Sequence, residues 1–293
     1  MFLFMKIEEI GVIGHSALSA IADYILEDRE RILHKSLQEV ADETYTSKAS
    51  VVRFAKTLGY SGWKEFLKDY MKEWNYQNQF NQEVDFSFPF NADSSAKEIA
   101  ESLKILAKQT LDDSFEKLDF EAINRIVNLM QRANRIVIFC VSPHVYSAEL
   151  FQRKMMTIQK PIQVVHAREM GLNARSLTHK DLAILISYSG QNEEAEPMNI
   201  VHYLRENHVP VVAITSEGSN YLREQVDTVL TMTTMEALYN KIATFSTEES
   251  LQYLLNVLYS CYFARSYEDN RNNKVESARL LETRRAHSDS IHE

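Results

Sequence analysis

Apolar residues in the first quarter of the chain recur at helical spacing and are punctuated by polar caps. Ile21, Ala22 and Ile25 share one face behind Ser16, whose hydroxyl suits an N-cap. Ser36 with Glu39 three residues on is a capping-box pattern, so a second helix is expected over residues 37–43. Thr44, Tyr45 and Thr46 break the periodicity. Ser47 then caps a third helix over 48–58, and Gly59 is placed to end it in the left-handed conformation that glycine adopts cheaply. Ser61 opens a fourth helix carrying Trp63, Phe66, Leu67, Tyr70 and Trp74.

The pattern dissolves after residue 76 into Asn, Gln, Asp, Ser and Pro with scattered Phe80, Phe86, Phe88 and Phe90, which marks a linker over 77–95 whose aromatic rings favour a domain surface over water. Residues 96–118 and 120–133 read as two amphipathic helices. Beyond Arg135 the period changes. Short β-branched runs at 136–141, 162–165, 182–187, 209–215 and 228–232 alternate with helical stretches near 146–159, 168–177, 193–207 and 221–225. Strands apolar on both faces and separated by helices predict a parallel sheet covered by helices on both faces. A last helix over 247–265 packs on it, and the tail over 267–293 is polar, partly helical at 275–284. The expected organisation is therefore an all-α helix-turn-helix domain (1–76), the linker (77–95), an α/β domain (96–266) and the tail.

Composition narrows the function classes. The longest apolar runs fall far short of the roughly 20 residues that span a bilayer, and the start lacks the basic lead and apolar length of a signal peptide, so a cytoplasmic protein with no membrane partner is expected. Cys140 and Cys261 lie far apart in apolar stretches and read as buried free thiols. The nine histidines show no close ligand spacing, so neither a metal nor another cofactor is expected. A formal charge of −9 argues against indiscriminate coating of nucleic acid. Between Thr46 and Lys72, however, six basic residues face two acidic ones, which concentrates a polyanion-binding face on an acidic chain.

The residues of that face suit duplex DNA. In a helix-turn-helix the first helix braces on the backbone and the N-terminal part of the second enters the major groove. Val51, Phe54 and Leu58 form a core stripe that leaves Lys48, Ser50, Arg53 and Lys56 outside. Ser47 and the amides behind it can take a phosphate. Lys48, Lys56 and Lys64 are phosphate-reaching cations, and the planar fork of Arg53 matches guanine O6 and N7. The competing reading is that Arg53 pairs with an acidic neighbour. The run Ser47, Ser50, Val51, Arg53, Phe54, Leu58, Gly59, Gly62, Trp63 and Phe66 resembles the recognition helix of RpiR-type regulators, S-x-x-T-V-x-R-F-x-x-x-L-G-F-x-G-F. Ser50 stands where threonine is usual, and Tyr45 where the turn usually has glycine.

The second half, over about 122–264, resembles the sugar isomerase (SIS) domain that follows this helix-turn-helix in the same family. Ser187, Ser189, Gly190 and Asn192 are similar to the family's S-x-S-G-x-T at a strand end. Hydroxyls and amides crowd there around a glycine, and a helix N-terminus expected at about Glu193 suits a phosphate dianion. The first strand departs from the family's glycine-rich loop. Cys140 and Ser142 fall at glycine positions and His144 where serine is usual, so Ser142 and His144 would donate from side chains.

The resemblance implies a DNA-binding transcription regulator of carbohydrate metabolism genes, acting as a homodimer or homotetramer on a double-stranded operator and answering to a phosphorylated sugar. Two alternatives remain open at this stage. One is a sugar-phosphate isomerase using Glu193, Glu194, Glu248 or His144 as base; the other is a regulator whose second domain has lost its ligand and only dimerises. A protein that is not an enzyme is expected, since acids at 193, 194 and 248 also suit first helical turns.

Overall fold

The computed structural model describes residues 3–12, 16–79 and 84–282, which form two compact units. Unit 1 comprises Met1–Gln109 with Thr234–Ser246, and unit 2 comprises Thr110–Thr233 with Thr247–Glu293. Phe80 and the tail beyond residue 282 lie outside the described residues.

Unit 1 begins with α1 (Leu3–Val12), which the capping signals did not announce because its N-terminus is capped from a distance. The Leu3 and Phe4 amides donate to the Glu73 carboxylate at 2.6 and 3.1 Å, and burial outweighs those bonds in raising the Glu73 pKa. Then come α2 (Ala17–Glu27), capped by Ser16, and α3 (Leu37–Glu43), with the expected capping box between Ser36 and Glu39. They are followed by α4 (Lys48–Thr57), capped by Ser47, and α5 (Trp63–Gln79), which continues across residue 76. Ile7, Ile21, Ile25, Val51, Phe54, Phe66 and Tyr70 are all buried in one core, with Phe4 edge-on to Tyr70 at 4.9 Å and Phe54 edge-on to Phe66 at 5.8 Å.

Of the phenylalanines expected against a domain surface, Phe86 is buried whereas Phe88 is exposed. The segment 234–246 belongs to this unit although its sequence neighbours do not. Leu238 N–H donates to the buried Glu8 carboxylate at 2.6 Å, Ala237 N–H to Ser87 Oγ at 2.9 Å, and Ile242 N–H to the Ser87 carbonyl at 2.9 Å.

α6 (Ala96–Glu116) contributes residues to both units. Unit 2 continues with α7 (Phe120–Arg132), β1 (Ile136–Cys140), α8 (His144–Met156), β2 (Gln163–Val165), α9 (Met170–Ser176) and β3 (Leu182–Ile186). α10 (Val201–Glu206), β4 (Val211–Ser216), α11 (Tyr221–Gln225), β5 (Thr228–Met232), α12 (Phe245–Ala264, which enters this unit at Thr247) and α13 (Tyr267–Glu282) complete it. All five strands are parallel in the order β2-β1-β3-β4-β5, flanked by helices. β1 and β3 are buried along their whole length, as their unbroken apolar runs require.

Two expectations are corrected. The helix expected from Glu193 starts only with a 3-10 turn at Met198–Ile200 and α10. Pro197 biases the residue before it away from helical torsions, and Asn192 Oδ1 instead accepts the Glu194 N–H at 3.0 Å in a local turn. The tail is helical from Tyr267 rather than from 275. Its polar surface hid contacts back to the unit: Asn270 Nδ2 donates to the Phe263 carbonyl and Ser277 Oγ to the Thr157 carbonyl. Cys140 is a buried free thiol as expected, while Cys261 is only partly buried.

Candidate functional site

Two regions gather the candidate functional residues, one in each unit. In unit 1, α3 and α4 are joined by a turn whose hydrogen bonds close a Schellman motif: Thr46 N–H donates to the Ala41 carbonyl at 2.8 Å and Tyr45 N–H to that of Asp42 at 3.2 Å. α4 ends in the same way, with Tyr60 N–H on the Ala55 carbonyl and Gly59 N–H on that of Lys56. The left-handed position is glycine at 59, with φ 93°, and tyrosine at 45, with φ 54°. Tyr45 therefore accepts a conformation that costs an L-residue roughly 1–2 kcal/mol.

α4 buries Val51, Phe54 and Ala55 and turns Lys48, Arg53 and Lys56 to solvent, while Lys64 is exposed at the start of α5. Ser47 Oγ accepts the Ser50 N–H at 3.1 Å and lies 3.0 Å from Ser50 Oγ, so two hydroxyls sit at the helix start. The nearby acids are occupied elsewhere. Glu65 accepts both the N–H and the hydroxyl of Ser61, which hold its carboxyl below the usual range, and Asp69 pairs with Lys72 at 2.7 Å. Among the described residues Arg53, Lys48, Lys56 and Lys64 enter no ion pair, so the sequence alternative of an Arg53 salt bridge is not what forms. A face of uncompensated cations around a helix start presents both point charge and directed amides to a polyanion.

In unit 2 the strand order reverses direction of growth between β1 and β3: β2 lies on one side of β1 and all later strands on the other. Open α/β sheets bind ligands at the carboxyl ends of strands at such a switch point. The segment holding Ser142 and His144 follows β1, and that holding Ser187, Ser189, Gly190 and Asn192 follows its neighbour β3, in register at Cys140 opposite Ile186. Tertiary structure thus brings both sequence-picked loops to one edge of the sheet.

The β3 loop is tightly built. Gly190 N–H donates to the buried Ser187 Oγ at 3.2 Å, Thr215 Oγ1 and Ser216 N–H both donate to the Tyr188 carbonyl, and Leu222 N–H donates to the Gly190 carbonyl at 3.0 Å. Gly190 has φ 58°, and a Cβ there would lie 2.6 Å from Thr215 Oγ1 and 2.7 Å from Asn220 Oδ1, so only glycine fits. Ser189 is half-exposed at the loop tip, Ser142 and Asn192 are exposed, and His144 is buried at the start of α8. Burial, with a smaller push from Glu149, raises the Cys140 thiol to about 12, so a small apolar group rather than a thiolate ends β1. No helix N-terminus follows Gly190 directly, so any anion there is met by hydroxyls and loop amides, not by the dipole expected from the sequence.

Sequence reading missed the β4 end. Ser216 is fully buried, Asn220 caps α11 through the Arg223 N–H, and Arg223 Nη2 donates to the Ser216 carbonyl at 3.1 Å and to Thr231 Oγ1 at 2.9 Å. Nothing in the local pattern marks these residues; only the pairing of β3 with β4 places them behind Gly190. Among the described residues no group of three or more His, Cys, Asp or Glu is placed to hold a metal, and no helix is long and apolar enough to cross a membrane.

Comparison with known proteins matches both regions. Residues 16–74 match the helix-turn-helix domain of the rpiR family, and residues 129–257 match the SIS domain. The chain is 27% identical over 208 residues to the HTH-type transcriptional regulator HexR of Escherichia coli, covering 70% of this chain and 68% of HexR. It is 23% identical over 262 residues to an HTH-type transcriptional regulator of Clostridium perfringens, covering 89% and 92% of the two chains. Among solved structures, NanR of Vibrio vulnificus, complexed with ManNAc-6P, matches with a TM-score of 0.58 at 21% identity, covering 96% of this chain and 98% of that one.

Proposed function

Because the chain belongs to the RpiR-type transcriptional regulators, with their helix-turn-helix and SIS domains, we propose that it reads an operator through α4 and answers to a phosphorylated sugar held at the β1 and β3 ends. The observation that carries the first half is the cationic face of α4, whose neighbouring carboxylates are spent on Ser61 and Lys72. Arg53 reads guanine in the major groove, while Ser47, Ser50, Lys48, Lys56 and Lys64 hold the phosphates on either side. The protein works as a homodimer or homotetramer, since two recognition helices are needed for the two half-sites of a palindrome. Its targets are carbohydrate metabolism genes.

The second half is supported by the switch-point loops and by the ManNAc-6P in the NanR structure. The Ser187 and Ser189 hydroxyls donate to the phosphate, with Ser187 Oγ oriented by the Gly190 N–H that it accepts, Asn192 closes the loop over it, and Ser142 and His144 face it from β1. The reading is a sensor rather than a catalyst. An isomerase needs a base held against the substrate carbons, whereas Glu193 and Glu194 lie exposed in a loop, Glu248 is exposed in the first turn of α12, and the buried His144 is assigned in this reading to the phosphate.

The test is selection of bound sequences from a random duplex pool, followed by titration of the winner with and without a panel of sugar phosphates. A single enriched palindrome whose affinity changes with one panel member is the expected result. Absence of any enriched sequence rejects the first half. An isomerised sugar phosphate by NMR rejects the second.

A further inference from the structure

The two Schellman turns of unit 1 differ in a way that the fold alone does not explain. At Gly59 the left-handed residue is glycine, which meets no strain. At the equivalent place before α4 stands Tyr45, with φ 54° and 97% of its surface exposed, so the ring packs on none of the described residues. The turn around it is locked: Thr44 Oγ1 donates to the Val40 carbonyl at 2.7 Å and lies 2.9 Å from Thr46 Oγ1. A rigid turn thus holds a strained, unpacked aromatic two residues before the Ser47 cap of α4.

We propose that Tyr45 is a DNA-contacting residue, its phenol donating to a backbone phosphate at the rim of the groove that α4 enters and its ring lying on the adjoining deoxyribose. The proposal rests on the reading of α4 as the recognition helix and extends it to a residue outside the cationic face. The turn precedes the helix start that goes into the groove, so it meets the phosphate chain rather than base edges. The contact adds affinity for every duplex and carries no sequence preference. That sets Tyr45 apart from Arg53.

The experiment titrates full-length wild type, Tyr45→Gly and Tyr45→Phe against the selected operator and a scrambled duplex, and records each melting temperature. Tyr45→Gly is expected to melt no lower than wild type, because glycine relieves the left-handed strain, yet to bind both duplexes about tenfold more weakly. Tyr45→Phe should lose about threefold on both. If Tyr45→Gly melts lower, Tyr45→Asn, which also tolerates this torsion, replaces it with the same expectation.

Wild-type affinity retained by Tyr45→Gly or Tyr45→Asn overturns the contact while leaving the α4 reading intact. Weakening confined to the operator overturns its backbone character. Weakening of both duplexes by Tyr45→Gly, in a wild type that prefers no sequence, upholds the contact and rejects operator recognition. A wild type that binds neither duplex overturns both.

Discussion

Around α4 the side chains that suit a ligand point to solvent with their potential partners engaged elsewhere, whereas in the loop after β3 most of the equivalent groups are turned on the protein itself. Arg53, Lys48 and Lys56 are exposed and enter no described ion pair. Ser187 Oγ is committed to the Gly190 amide and Asn192 Oδ1 to the Glu194 amide. A surface that waits for a polyanion gains from long mobile cations, because each released counterion contributes on binding. A loop that encloses a small anion gains from groups already oriented, because their ordering is done during folding. The difference also predicts how each region fails: the first loses binding without losing fold, and the second loses both.

The largest effect is expected from Gly190→Ala, which adds a Cβ against Thr215 and Asn220 at a left-handed position. Overpacking and strain together should cost on the order of 3 kcal/mol of stability in a denaturant titration. A loss below about 0.5 kcal/mol would show that the β3 loop is as tolerant as the α4 face, and would break the contrast. Next is Arg53→Ala, expected to reduce discrimination of operator over scrambled duplex by roughly 1–3 kcal/mol with an unchanged melting temperature. Equal discrimination in a gel-shift titration would remove Arg53 from base readout.

Ser189→Ala sharpens the comparison from the other side, since Ser189 is the half-exposed hydroxyl of an otherwise self-bonded loop. The melting temperature without ligand should hold, while the thermal shift given by the effective sugar phosphate falls, reflecting about 1.5 kcal/mol of lost binding. A full shift in the variant would mean that Ser189 does not touch the phosphate. The smallest effect is expected from Lys56→Ala, which should weaken all duplexes alike and lower the slope of log affinity against log salt by about 1. A changed sequence preference would place Lys56 at the bases instead.

Much of unit 1 is legible in sequence because its signals are short-range. The Ser36 and Glu39 capping box, the Ser47 cap and the Gly59 stop each act within five residues, and all three form as read. α1 escaped that reading because Glu73, its cap, is 70 positions away from Leu3. In unit 2 the strands were legible from their unbroken apolar runs and the β3 loop from its hydroxyls and glycine, while the residues of the β1 loop were picked out by the family resemblance alone. The helix expected at Glu193 was misplaced because two local signals competed there. First-turn acids argued for a helix, while Asn192 and Pro197 argued against it, and the latter won.

The sequence by itself determined which residues face solvent on α4, where the strands lie and which hydroxyls end β3, since these follow from side-chain periodicity and from caps within one turn of their partners. The tertiary structure decided that β1 and β3 are neighbours at a switch point, that Thr215 and Asn220 stand where a Cβ of residue 190 would go, and that residues 234–246 build into the first unit. Each of these depends on crossovers that return the chain beside distant residues, and the order in which parallel strands pair is set by burial of whole faces, which no local pattern encodes.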